Sequence, residues 1–329
     1  MRIVAAPDKF RGTATAAEVA AAIAAAGAAF GAVTDEVPMS DGGEGFLDVF
    51  GGPNRTTRVT GPLGAPVDAA WRFEGGTAFV ETARASGLTL VGGPEGNDPL
   101  SATTTGVGEL IVAAVDAGAR RVVVGHGGSA STDGGLGALG VLGGGARLRG
   151  VELVAVVDVT TSFLEAAEEF APQKGATRKQ VELLRRRLDR LAQMYLDDYG
   201  VDVVDEPGGG AAGGLAGGLI ALGARCEFGV DLIAEELDLA GRIKEADLVI
   251  TGEGRVDRSS FIGKTVGGVV QLAYDLGVPV VVVAGDVEPR SADDLQTISL
   301  VDMFGERRAF EDTTGCVTAA IERLLAMRG

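Results

Sequence analysis

The stretch MRIVAAPDKFRGTATAAEVAAAIAAAGAAFGAVTDEVP, residues 1–38, decides the fold. Residues 3–6 form a short aliphatic run that reads as a strand. Residues 7–13, with Pro7 and Gly12, read as a loop, and the alanine-rich run over 14–29 reads as a helix. A second strand follows at 33–38. Short aliphatic runs alternating with helical patterns are the signature of an α/β fold with a largely parallel sheet.

Working outward, strands at 247–251 and 278–284 flank a helix near 265–276, and a closing helix runs over about 315–327. This late unit matches the opening one in texture. Between them the texture changes: from 55 to 82, Pro62 and Pro66 punctuate alternating runs at 67–73 and 77–81, which read as antiparallel strands. Helical spacing returns at 103–117, and buried strands are expected at 121–125 and 152–157. Val181, Leu184, Leu188, Leu191 and Tyr195 repeat at helical spacing over 178–199. The arginines on the other faces of that helix are a solvated surface or a dimer contact. A glycine-rich stretch at 208–218 opens a helix through about 223. The expected organisation is a discontinuous domain over 1–54 and 225–329, interrupted by an inserted α/β domain over 55–224.

Composition narrows the function. Glycine supplies 52 of 329 residues, about 16% against a usual ~7%. Glycine costs folding entropy, so such an excess belongs where backbone turns sharply or approaches something closely. Lys and Arg total 29 against 46 Asp and Glu, a net charge of −17. That argues against nucleic acid or an anionic membrane as partner. An acidic protein that handles phosphates then needs local cations or metal ions. Two cysteines far apart and an N-terminus without a signal-peptide core point to a reducing, cytoplasmic setting.

Several predicted strands end in loops that pair glycine with carboxylate: Asp41-Gly42-Gly43-Glu44-Gly45, Gly127-Gly128-Ser129 through Asp133-Gly134-Gly135, and Gly252-Glu253-Gly254-Arg255-Val256-Asp257. Ligands of open α/β sheets sit at the carboxyl ends of the strands. Glycine loops let backbone N–H groups converge on an anion, and carboxylates beside them suit Mg²⁺ carrying a phosphate. Each loop alone also reads as a capped strand–helix turn; three in one chain favour phosphoryl transfer. Lys9, Arg11, Lys174, Arg255 and Lys264 are the candidate phosphate clamps. There is no G-x-x-x-x-G-K-[ST] loop, no protein-kinase signature and no G-x-G-x-x-G after the first strand. His126 stands alone and reads as a structural histidine.

Six motifs carry a resemblance. Ala6-Pro7-Asp8-Lys9-Phe10-Arg11-Gly12, the Asp41–Gly45 loop, and Gly127-Gly128-Ser129-Ala130 with Thr132-Asp133-Gly134-Gly135 are the first three. Pro172-Gln173-Lys174-Gly175-Ala176-Thr177, Gly210-Ala211-Ala212-Gly213-Gly214-Leu215 and Ile250-Thr251-Gly252-Glu253-Gly254-Arg255-Val256-Asp257 complete the set. In this order they resemble the bacterial type 1 glycerate kinases, in a shorter-chain branch. The resemblance implies two α/β domains, one flavodoxin-like, doubly wound and discontinuous, the other inserted, with an active site in the cleft between them. It implies ATP-dependent phosphorylation of D-glycerate with Mg²⁺, generally at the 2-hydroxyl. Two departures stand out. Arg11 replaces a lysine, and Thr160-Thr161-Ser162-Phe163 replaces the Asn-Pro that many members carry after Asp158, in a segment about three residues shorter.

The roles expected on this basis are these. Asp41 or Asp158 takes the acceptor's proton, and Asp133 and Asp257 bind Mg²⁺. Lys9 and Arg11 hold the glycerate carboxylate or the γ-phosphate, while Lys174 and Arg255 neutralise the transferring group. Gly127, Gly128 and Ser129, with Gly252, Glu253 and Gly254, hold the nucleotide. Other readings are a kinase for a related hydroxy acid, an oxidoreductase, which would need the missing dinucleotide fingerprint, and a non-catalytic nucleotide or sugar-phosphate sensor. A homodimer is an open possibility.

Overall fold

The computed structural model describes residues 1–43, 45–261, 264–292 and 295–328; of the motif residues, Glu44 lies outside the described residues. The chain divides into two compact units, residues 1–41 with 229–329 and residues 42–228.

The first unit is built on five parallel strands: β1 (Arg2–Ala5), β2 (Val33–Glu36), and three from the second half of the chain. In the usual chain-order numbering those three are β9 (Leu248–Val256), β10 (Val280–Val287) and β11 (Thr297–Ser299). Between them in sequence come β3 (Arg55–Thr60), β4 (Pro66–Glu74), β5 (Thr77–Glu81), β6 (Arg121–Gly125), β7 (Glu152–Val157) and β8 (Arg225–Phe228), which belong to the second unit. The first sheet runs β11-β10-β9-β1-β2. Renumbered within the unit this is 2-1-3-4-5, the flavodoxin-like order, with its switch point between β1 and β9. Ile3, Leu248, Ile250, Val281 and Val283 are fully buried or nearly so, as expected of strands covered on both faces.

Helix Ala16–Ala29 and helix Thr313–Ala326 bury one face of the sheet through Val19, Ile23, Val317 and Ile321. Helix Thr265–Asp275 covers the other through Val266 and Val270, against Val256 and Val282. The first helix starts two residues later than its alanines suggest. Thr15 and Glu18 form a reciprocal capping box there, with the Thr15 hydroxyl accepting from Glu18 N–H.

One expectation is corrected here. Gly252-Glu253-Gly254 is not a loop after β9 but part of it. Ala284 pairs with Glu253, Asp286 with Arg255 and Val287 with Val256. Glycine at 252 allows this, because a Cβ there would run into the Val283 backbone of the neighbouring strand.

The second unit holds a six-stranded mixed sheet in the order β3-β4-β5-β6-β7-β8, antiparallel from β3 to β5 and parallel from β5 to β8. The texture change in the sequence is this antiparallel edge. Helix Arg178–Tyr199 has the bounds its periodicity predicts, closed by a Thr177–Gln180 capping box and a left-handed Gly200. Leu184, Leu188, Ala192 and Tyr195 are its buried face, and the Tyr195 hydroxyl donates to Gly134 O at 2.8 Å. Helix Ala211–Ala221 begins with Ala212, Gly213 and Gly214 all in left-handed conformation. Gly213 lies against the Ser131 carbonyl and Gly217 against the Phe163 ring, closer than any side chain permits. The glycines of this stretch serve close backbone packing.

Candidate active site

The switch point of the first sheet carries a cavity of about 310 Å³. Its wall comes from the loop after β1 (Asp8, Lys9, Phe10, Arg11, Thr13), from Asp41 beyond β2, and from Glu253, Gly254 and Arg255 on β9. Lys264, Gly285, Ala309 and Phe310 complete it. Four cations thus meet three carboxylates, a locally positive balance in a chain of net charge −17. The spot is where an open α/β sheet places a ligand, since the loops after β1 and β9 diverge there and leave a crevice.

Lys9 Nζ lies 3.6 Å from Asp41 Oδ1 and 3.9 Å from Asp8 Oδ1, so two carboxylates face one ammonium. Asp8 is 7% exposed. Its Oδ1 accepts the Lys9 backbone N–H at 2.6 Å and its Oδ2 accepts the Thr265 hydroxyl at 2.8 Å. Burial, then the charge of Asp41, push the Asp8 carboxyl above the usual carboxylate range, against the pull of Lys9 and the two hydrogen bonds. Burial likewise raises Glu253, whose Oε1 is buried with no hydrogen-bond partner. Asp257, just past β9, accepts Ser259 N–H and Oγ–H at 2.7 and 2.6 Å, and Lys264 Nζ donates to the same Ser259 Oγ at 2.9 Å. The Ser259 hydroxyl holds the Asp257 carboxyl below its ordinary value.

Of the residues anticipated from the sequence, the cavity brings together Lys9, Arg11, Asp41, Glu253, Gly254, Arg255 and Lys264. Asp8, which also lines the cavity, was missed, as was Thr265, which stands behind it and donates to it. Asp8 stands inside a quoted motif, so a signal existed; nothing in the sequence tied Thr265 to it.

Gly252 and Asp257 belong to the same unit as the cavity, whereas Lys174, Gly127, Gly128, Ser129, Asp133 and Asp158 lie in the second unit. Lys174 ends the short turn Pro172–Lys174 and is only 4% exposed. Its Nζ donates to Ser129 Oγ at 2.8 Å and to Ser131 O at 2.6 Å, and burial lowers its pKa to about 7 despite Asp133 nearby. The expected clamp and the expected phosphate loop therefore meet. The loop is pinned by Leu88 N–H to Gly128 O and by Ala130 N–H to Ser86 O, both at 2.8 Å. Asp133 ties its own loop together. Its carboxylate accepts Thr104 N–H and Oγ–H, each at 2.9 Å, and the N–H groups of Gly135 and Gly137. Asp158 follows β7, half-buried. His126 Nδ1 donates to Val156 O at 3.1 Å, which fixes the tautomer, and burial drops its pKa to about 4, so the ring is neutral.

Comparison with known proteins agrees with this geometry. The Glycerate kinase family profile matches residues 3–146 and 144–327. An uncharacterised protein of Mycobacterium tuberculosis is 42% identical, covering 100% of this chain and 92% of its own. The glycerate 2-kinase of Escherichia coli is 38% identical over 87% of this chain and 86% of its own. A crystal structure from Salmonella typhimurium LT2, described as a candidate glycerate kinase 2, superposes with a TM-score of 0.82 at 33% identity, covering 100% of this chain and 99% of that one. No helix among the described residues is long and apolar enough to cross a membrane. The chain belongs to the glycerate kinase family.

Proposed function

We propose that the protein transfers the γ-phosphoryl group of Mg-ATP to the 2-hydroxyl of D-glycerate, giving 2-phosphoglycerate. The observation that carries this reading is the cavity at the switch point, where four cations and three carboxylates line one small volume. A loose phosphoryl-transfer transition state asks for positioning and charge neutralisation, and little covalent chemistry from the protein. Lys9 and Arg11 hold the acceptor's carboxylate, Arg11 by two-point hydrogen bonding. Arg255 and Lys174 offset the charge that spreads over the transferring oxygens. Ser129 and its neighbouring glycines face the nucleotide phosphates, and Asp158 orients the acceptor.

The donor set fits Mg²⁺, an oxygen-seeking ion usually bound by one or two carboxylates plus substrate phosphates. The orphaned Glu253 Oε1 and the Asp257 carboxylate are the residues that would hold it. Bound there, it would neutralise charge on the phosphate oxygens. Asp133, with its carboxylate engaged by the 104–137 backbone, keeps a structural task. The alternative acceptor, a related small hydroxy acid, uses the same cavity. An ADP-release assay over a panel of hydroxy acids separates the two: the proposal expects D-glycerate to give the highest kcat/KM, and a better acceptor elsewhere in the panel would replace it.

A further inference from the structure

Resting on the kinase reading above, we propose that Asp8 is the catalytic group that receives the proton of the acceptor hydroxyl, held in aim by Thr265. The backbone around Asp8 is fixed on both sides. Its own N–H donates to Gly252 O on β9 at 2.8 Å, and Pro7 O accepts Met39 N–H at 2.9 Å. Each carboxylate oxygen already accepts one hydrogen bond, from Lys9 N–H and from the Thr265 hydroxyl, which leaves each one further lone pair for the cavity. A carboxylate anchored this way meets the geometric requirement of a general base better than one on a mobile stem.

Asp41 faces the same ammonium, but its side chain is 15% exposed against 9% for Asp8. Burial favours the protonated form of a carboxyl, and it is the leading cause of the upward displacement at Asp8. The Lys9 ammonium favours the ionised form of Asp8, against burial and the charge of Asp41. In the step itself the acceptor's O–H proton passes to a carboxylate oxygen of Asp8 and the hydroxyl oxygen's electron pair forms the new O–P bond. The bond from the γ-phosphorus to its bridging oxygen breaks, and that electron pair leaves with ADP. The carboxylic acid of Asp8 then returns its proton to solvent.

The test compares wild type, Asp8→Asn and Asp8→Gly, with calorimetric binding of ATP and D-glycerate beside turnover. Asp8→Asn preserves the shape and the acceptor oxygen for Thr265 but takes no proton. Its kcat should fall by about 10²–10⁴-fold while both ligands bind as they do to wild type. Formate, a small carboxylate, should restore turnover to Asp8→Gly and leave Asp8→Asn unchanged, because the amide fills the space. Asp8→Asn retaining wild-type kcat, or showing only a raised KM, would overturn the proposal, as would a folded Asp8→Gly that formate fails to rescue. If Asp8→Gly does not fold, Asp8→Asn decides alone. A wild-type enzyme inactive on D-glycerate strikes the kinase reading instead, before any variant is compared.

Discussion

Thr265 Oγ1 donates to Asp8 Oδ2 at 2.8 Å across a sequence separation of 257 residues. The bond ties the first residue of helix Thr265–Asp275 to the loop after β1, and both partners are buried. Thr265→Val should therefore act twice. A buried hydrogen bond to a charged group contributes about 1.5–3 kcal/mol, so thermal unfolding should register its loss. Turnover should fall with little change in KM, since a misaimed carboxylate still leaves the binding cations in place. Thr265→Ser keeps the hydroxyl and should recover most of both.

Arg255 is exposed and pairs in register with Asp286, so removing its side chain costs the fold little. Arg255→Ala should leave the melting temperature near wild type and reduce kcat/KM by about tenfold or more, the value of one charge-assisted hydrogen bond. Arg255→Lys restores charge but not the two-point fork and should recover only part of the loss. Steady-state kinetics and calorimetry on the three proteins check this.

Lys174 gives a pH signature. Its folded pKa is lowered to about 7 by burial, while the unfolded value is the ordinary 10.5. Between these values the unfolded chain binds the extra proton, so stability rises with pH from about 7 towards 10 and declines as pH falls back through that window. Urea unfolding at pH 7, 8 and 9 should show this slope in wild type and its absence in Lys174→Met. No difference in slope between wild type and Lys174→Met would mean that Lys174 keeps its proton in the folded protein across this range.

In the helix Arg178–Tyr199, Leu184 is 1% exposed. Leu184→Ala should cost about 2–5 kcal/mol, the transfer term plus the cavity it leaves. Leu183, on the same helix, is 40% exposed, and Leu183→Ala should change stability by less than about 0.5 kcal/mol. Urea unfolding of the two variants gives the contrast.

That contrast was readable from the periodicity of 178–199, because one apolar face, a Thr-x-x-Gln cap and a terminal glycine all mark the same helix. The βαβ texture at either end of the chain likewise gave a doubly wound sheet. Gly252-Glu253-Gly254 misled for a physical reason. Glycine signals a turn locally, whereas here it lets β9 pass close to Val283 of the adjacent strand. Among the left-handed residues at 212–214, Gly213 lies against the Ser131 carbonyl and Gly214 against Gly134 and Phe163, tertiary neighbours that leave no room for a side chain. Four of the cations singled out by type and position, Lys9, Arg11, Arg255 and Lys264, do line one cavity. Asp8 was not singled out, because its burial and its bond to Thr265 exist only once β1 and β9 are side by side. Asp133 reads two ways, since a carboxylate in a glycine loop looks alike as a metal ligand and as a loop staple, and in the fold it accepts the hydrogen bonds of a staple.

The most direct measurement is phosphorus NMR of the product formed from Mg-ATP and D-glycerate. The account predicts ADP together with a phosphomonoester signal split into a doublet by the single proton on C2. A triplet, from the two protons on C3, would contradict the 2-hydroxyl assignment, and unaltered ATP in the presence of folded protein would contradict the account as a whole.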